Sequence, residues 1–228
     1  MVQLFDPENR FWQFLGKITD AACLSVLWLI TSLPLITIGA STTAFYEYTL
    51  KSVQNLEGSL FKSYFKSFRV HFKRSTLLWL IQLAGTLFFA ADLWAAWQFF
   101  LSRGGAAGVV MMGVCGFCAL VFFCCCFYTF PVLALYGLPL RKLIVTSFFL
   151  SIGSLHVTIT LIVLLLLACV LTFYLSGFFF FWVGLFIFAS SYFIYGVFLR
   201  FPWLETEDNK EAGTEAQEDP KEEEEWLM

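Results

Sequence analysis

Charge is scarce in this sequence: Asp, Glu, Lys and Arg make up 14% of its 228 residues, where a globular domain carries about 25%. Histidine is scarcer still, at two residues. So few ionisable groups leave little from which to build a soluble surface or a convergent set of acids, bases or metal ligands. No Walker phosphate loop, HExxH, GxSxG or dinucleotide fingerprint occurs, so neither an enzyme nor a bound cofactor is expected. Polar loops lack cysteine. Cys23, Cys115, Cys118, Cys124, Cys125, Cys126 and Cys169 all lie in apolar stretches, and the disulfides of an oxidising compartment are not expected. The first twenty residues mix acids, bases and aromatics without a signal-peptide pattern, so the first apolar segment is expected to be retained as a span.

What is present is apolar: 59% of the residues are hydrophobic and 29 are Phe, with a mean hydropathy of +0.77. That exceeds what one small core can bury and calls for an apolar solvent. The net charge of -3 is also polarised, because residues 205–228 hold 11 of the 17 acids against Lys210 and Lys221. The hydrophobic body is therefore basic, which fits cationic loops facing anionic lipid and excludes a nucleic-acid binder, a secreted disulfide scaffold and a soluble enzyme.

The expected fold class is all-α: a polytopic transmembrane bundle of about five spans plus an amphipathic interfacial helix. Residues 1–204 form the membrane-embedded domain, and residues 205–228 form a disordered acidic tail, too poor in apolar residues to repay the entropy of ordering. Stretches of about 20 apolar residues place spans near 21–43, 77–101, 107–131, 155–175 and 178–199. Residues 143–175 as one helix would run about 50 Å, too long for a bilayer about 30 Å thick. A short interfacial helix near 140–150, broken around residues 152–154, is expected instead. Pro34 is expected to break or kink the first segment.

Lys and Arg set the orientation. Lys51, Lys62, Lys66, Arg69, Lys73 and Arg74 follow the first span, and Arg141 and Lys142 follow the third, so these connections are expected in the cytoplasm. Five crossings then place the N-terminus outside and the acidic tail inside. A second arrangement, residues 11–50 as a hairpin bent at Pro34, brings Arg10 and Lys17 to the cytoplasmic side as well.

Residues 61–74 carry the most informative pattern. Phe61, Phe65, Phe68 and Phe72 recur at i, i+4, i+7 and i+11, and Lys62, Lys66, Arg69 and Lys73 follow one residue later. On a helix these make an aromatic and a basic stripe about 100° apart, suited to an anionic cytoplasmic leaflet or to a partner's surface. Asp92 is the one carboxylate deep in an unambiguous span and is the candidate intramembrane polar site. Glu47 and His156 sit near span ends and are read as hydrated interface groups. Spacing by three puts Cys115 and Cys118 on one face, but with two histidines in the chain and no partner cluster, no metal site is expected. Small residues at 39–43 and 104–108 permit close helix approach, leaving an oligomer possible.

Three blocks, LFDPENRFWQFLGKITD, WLITSLPLITIGASTTAFYEYTLK and EGSLFKSYFKSFRVHFKRSTLLWL, resemble in order the YesL-type family of bacterial integral membrane proteins, a family of unknown function. The likeness extends more weakly to about residue 200 through FFLSIGSLHVT. It implies a multi-pass protein of the bacterial plasma membrane, commonly encoded near carbohydrate-uptake and polysaccharide-degradation systems in Gram-positive bacteria, and implies no catalytic residues. The expected function is an accessory or regulatory component associated with carbohydrate uptake, with a membrane transporter as the partner; the alternative is a small-solute permease.

Overall fold

The computed structural model describes residues 10–201, apart from residues 55, 57, 104 and 175–178. The acidic tail expected at 205–228 lies outside the described residues. Every regular element among those described is helical: α1 (Arg10–Thr31), α2 (Ile38–Val53), α3 (Leu60–Arg103), α4 (Gly105–Tyr136), α5 (Leu140–Gly153), α6 (Leu155–Tyr174) and α7 (Phe179–Phe198). Four of them, α3, α4, α6 and α7, are long and apolar enough to cross a membrane.

The span expected at 21–43 is not one helix. Pro34 has no backbone N–H and turns Leu33 away from helical geometry, and α1 stops at Thr31. A single 3-10 turn over Leu35–Thr37 follows, closed by Thr37 Oγ1, which donates to the carbonyls of Thr31 and Pro34 at 2.6 Å each. The chain then doubles back. Trp28 Nε1 donates to Thr42 Oγ1 at 3.1 Å, Tyr48 OH to Asp20 Oδ2 at 2.9 Å, and Lys17 Nζ to the Ser52 carbonyl at 2.8 Å. Partner numbers fall along α1 as they rise along α2, so the two helices form an antiparallel hairpin bent at Pro34. At 1.5 Å per residue α2 is about 24 Å long, short of a bilayer core.

Eleven of the sixteen α2 residues are buried, which makes α2 the centre of the bundle rather than a lipid-facing span. Gly39 lets it approach α3: a Cβ there would lie 2.5 Å from the Ser75 carbonyl and 2.7 Å from Trp79 Cβ. On its other side Tyr46 OH meets Ser190 Oγ at 3.1 Å and Thr49 Oγ1 meets Ser191 Oγ at 2.7 Å, joining α2 to α7 through buried hydroxyls.

The interfacial helix expected at 61–74 is not a separate element either. It runs without a break into the span expected at 77–101, as the 44-residue α3. Ser75 and Thr76 change the hydropathy but offer no Pro or Gly to end a helix. At about 66 Å, α3 is roughly twice the thickness of a hydrocarbon core.

Pro139 precedes α5, and Ser154, at φ -128° and ψ 48°, separates α5 from α6. The sequence places a break in that region. Buried side chains gather at one end of the molecule, in α2, residues 128–134 of α4, α5, and residues 187–198 of α7. Toward the other end, α3 and α4 turn Leu87, Phe88, Trp94, Val110 and Phe117 outward, as lipid-facing helices do.

Candidate functional site

The buried end of the molecule holds up a charged face. Along the first half of α3, Tyr64, Ser67, Ser75 and Leu78 are buried, with His71 partly so. Their spacing puts them on one side of the helix, against α2. Lys62, Lys66, Arg69 and Lys73 point away and are exposed, as are Phe61, Phe65 and Phe72; Phe68 is partly buried against the core. The four bases and three of the four phenylalanines therefore share an outward surface. Arg74 anchors its far end, donating to the Gly137 carbonyl in the α4–α5 connection at 2.6 Å.

Behind this face stands Glu47, which reading the sequence as a hydrated interface group missed. Its side chain is only 16% exposed. Lys51 Nζ, one helical turn later, lies 2.5 Å from Oε1, and His71 Nε2 of α3 lies 3.5 Å from Oε2. The second distance is a close polar contact rather than a hydrogen bond, since Oε2 has no donor in bonding geometry. Burial by itself raises the Glu47 pKa, but the approach of His71, Lys51 and Ser67, together with the Lys51 charge, outweighs it and brings the carboxyl down to about 2. Glu47 thus stays ionised near neutrality and ties α2 to the basic part of α3. The visible signal was the third stripe of α3, Tyr64, Ser67, His71 and Ser75, which is neither aromatic-outward nor basic and so needs a polar neighbour.

Asp92 is remote from this cluster, about three-quarters of the way along α3, where it faces the Cys115 thiol of α4. Cys118 is exposed and Cys124, Cys125 and Cys126 are partly buried, all as free thiols. Among the described residues no three His, Cys, Asp or Glu side chains are grouped as metal ligands. His156 Nε2 lies 3.1 Å from Arg200 Nη1, at the start of α6 and just past α7.

A second feature lies deeper between the helices. A space of about 520 Å³ lies among α1, α2, α3, α4, α6 and α7, walled by Trp28, Tyr46, Gln82, Phe127, Trp182 and Phe186 among others. It exists because α6 packs on α7 while α4 touches both only sparsely.

These features define an all-helical protein with four helices long and apolar enough to cross a membrane, a charged face at one end and a cavity among its helices. Residues 21–93 match the family model described as "Protein of unknown function, DUF624". The chain is 26% identical over 163 residues to "Uncharacterized protein YesL" of Bacillus subtilis (strain 168), covering 70% of this chain and 75% of that protein. No solved structure matches it. Both likenesses support a YesL-type family of unknown function. The family match spans the second half of α1, all of α2 and α3 as far as Leu93, and so includes Glu47, His71 and the basic face.

Proposed function

We propose that this chain is an accessory or regulatory protein of a bacterial plasma membrane, associated with carbohydrate uptake, that works by presenting the basic face of α3 to the cytoplasmic leaflet and to a transporter partner. The observation that carries this reading is the outward clustering of Lys62, Lys66, Arg69 and Lys73 on a helix braced from behind by Glu47 and His71. Near an anionic surface each base contributes about 1 kcal/mol, so four hold the segment firmly at the inner face. Lys17 beside Ser52, together with Arg141, Lys142 and Arg200, puts most bases at the same end, and the positive-inside rule assigns that end to the cytoplasm. Four crossings then leave Arg10 and Phe201 on the cytoplasmic side. The link to carbohydrate uptake is supported by the family likeness alone, and no reaction is assigned.

A chain with Lys62, Lys66, Arg69 and Lys73 all changed to Gln is expected to keep its fold and lose most co-purification of a stoichiometric membrane transporter in mild detergent. Retention of that partner by the quadruple variant would count against the role of the basic face.

The permease reading draws on the chain breaks at residues 32–37 and at Ser154, since broken helices are where transporters hold solutes. Here, however, the break groups are occupied by the protein itself: Ser154 Oγ bonds the Leu150 carbonyl and Tyr128 OH. Solute flux by the purified chain alone in liposomes would favour the permease and overturn the accessory role.

A further inference from the structure

We infer that the acidic segment of this same chain, residues 205–228, binds across the exposed basic stripe of α3 and covers it until anionic lipid or a protein partner displaces it. The inference rests on the reading of that stripe as a membrane- and partner-binding face, and adds how access to it is controlled.

The stripe is a charged surface without a counter-charge beside it. On a helix Lys62, Lys66, Arg69 and Lys73 fall within about 60° of one another, on the side opposite Tyr64, Ser67, His71 and Ser75. All four are exposed, and Val70 at their edge is 66% exposed. The acids among the described residues are Asp20, Glu47 and Asp92. Each is engaged elsewhere: Asp20 with Tyr48, Glu47 with Lys51, and Asp92 beside Cys115 of α4. Like charges one turn apart repel, so Lys62 with Lys66 and Arg69 with Lys73 gain from an opposite charge laid along them.

The chain supplies that charge itself. Residues 205–228 hold 11 Asp and Glu against Lys210 and Lys221, a net -9. α7 also delivers the segment to the right place. Phe198, its last residue, packs its ring against Tyr136 with centroids 5.4 Å apart. The next residue after Tyr136 is Gly137, whose carbonyl accepts from Arg74 at 2.6 Å. The chain therefore leaves α7 near the Arg74 end of the stripe. From Arg74 back to Lys62 is about 18 Å along α3, whereas residues 202–225 can span up to about 80 Å when extended. In the orientation assigned above, the stripe and Phe201 are both cytoplasmic. Exposed ion pairs are individually weak, but tethering raises the local concentration of the acids to about the millimolar range. Such a contact covers the stripe and still yields to a surface that offers more charge.

The test uses the full-length chain freed of its seven cysteines, carrying Val70→Cys and Ala216→Cys, purified in detergent and treated with a short bismaleimide. The expected product is a crosslink within one chain, identified by gel mobility and peptide mass. It is expected to fall about fivefold in about 1 M salt, where the Debye length is about 3 Å, and equally when Lys62, Lys66, Arg69 and Lys73 are all Gln. Changing the 11 acids of residues 205–225 to Asn and Gln leaves every described residue intact. That variant is expected to lose the crosslink in the same way and to raise co-purification of the transporter about threefold, since the face is no longer competed for. A yield no higher than that of a Ser102→Cys and Ala216→Cys control overturns the inference. So does a crosslink that survives both neutralisations, or one that joins only two separate chains. Loss of the transporter from the quadruple Gln variant, with no crosslink in the parent, would keep the partner-binding face and sink the tail contact. A salt-sensitive crosslink, with the transporter retained by the quadruple variant, would keep the contact and sink the partner-binding face.

Discussion

Gly184→Leu is expected to abolish recovery of folded protein, and Gly184→Ala to lower stability by about 1–3 kcal/mol, the range for overpacking a close contact. Gly184 is buried on α7 where α1 crosses it. A Cβ there would overlap Ser25 Oγ, lie 2.8 Å from Ser25 Cβ and reach 3.3 Å from the Ala21 carbonyl. Ser25 Oγ could rotate aside by giving up its 2.6 Å bond to the Ala21 carbonyl. Its Cβ cannot, so α1 must move off α7. This contact matters because α1 otherwise rests mainly on α7 and α2, and the hairpin bent at Pro34 depends on it. Thermal melting of the detergent-solubilised chain measures the loss, and the pair Gly184→Ala with Ser25→Gly is expected to recover much of it. A Gly184→Ala protein as stable as the wild type would show that the α1–α7 contact is looser than described.

The second large effect is a dependence on pH through Glu47. Its pKa is about 2 against an ordinary value of 4.5. Because the folded-state value is the lower one, the stability it contributes is fully present above about pH 4.5 and is lost as pH falls toward 2. At 1.36 kcal/mol per pH unit that contribution is about 3 kcal/mol for this mostly buried side chain. Glu47→Gln is expected to lose most of it at pH 7, since Lys51 and His71 then face a neutral amide, and to flatten the acid limb between pH 4.5 and 2. Denaturant unfolding of both proteins at several pH values in that range checks this. Parallel acid limbs would mean that Glu47 does not couple α2 to α3.

Hydropathy located the apolar stretches well, because membrane solvation acts locally and leaves its mark residue by residue. It served less well where a boundary in composition is not a boundary in structure. Arg74 to Leu77 marks the change from basic to apolar, yet nothing there breaks a helix, and α3 passes straight through. The reverse holds at Pro34, where apolar character continues from residue 18 to residue 50 while the backbone turns around. Proline told of the break, but whether the chain then kinked onward or folded back was decided by bonds between residues far apart in sequence, such as Lys17 with Ser52 and Asp20 with Tyr48. The candidate site divides the same way. The exposed bases and phenylalanines of 61–74 were legible from their period. The pairing of Glu47 with His71 across 24 positions was not, since it depends on which helices become neighbours.

The hairpin and the single-sided charge it creates are tested most directly by cysteine accessibility. In a chain freed of its seven cysteines, single cysteines at Lys17, Lys62 and Ser102 are exposed in intact cells to a membrane-impermeant maleimide. The structure predicts labelling at Ser102 alone, with Lys17→Cys and Lys62→Cys reacting only after permeabilisation. Labelling of Lys17→Cys from outside while Lys62→Cys stays protected would mean that residues 21–43 cross the membrane once, and would contradict the hairpin.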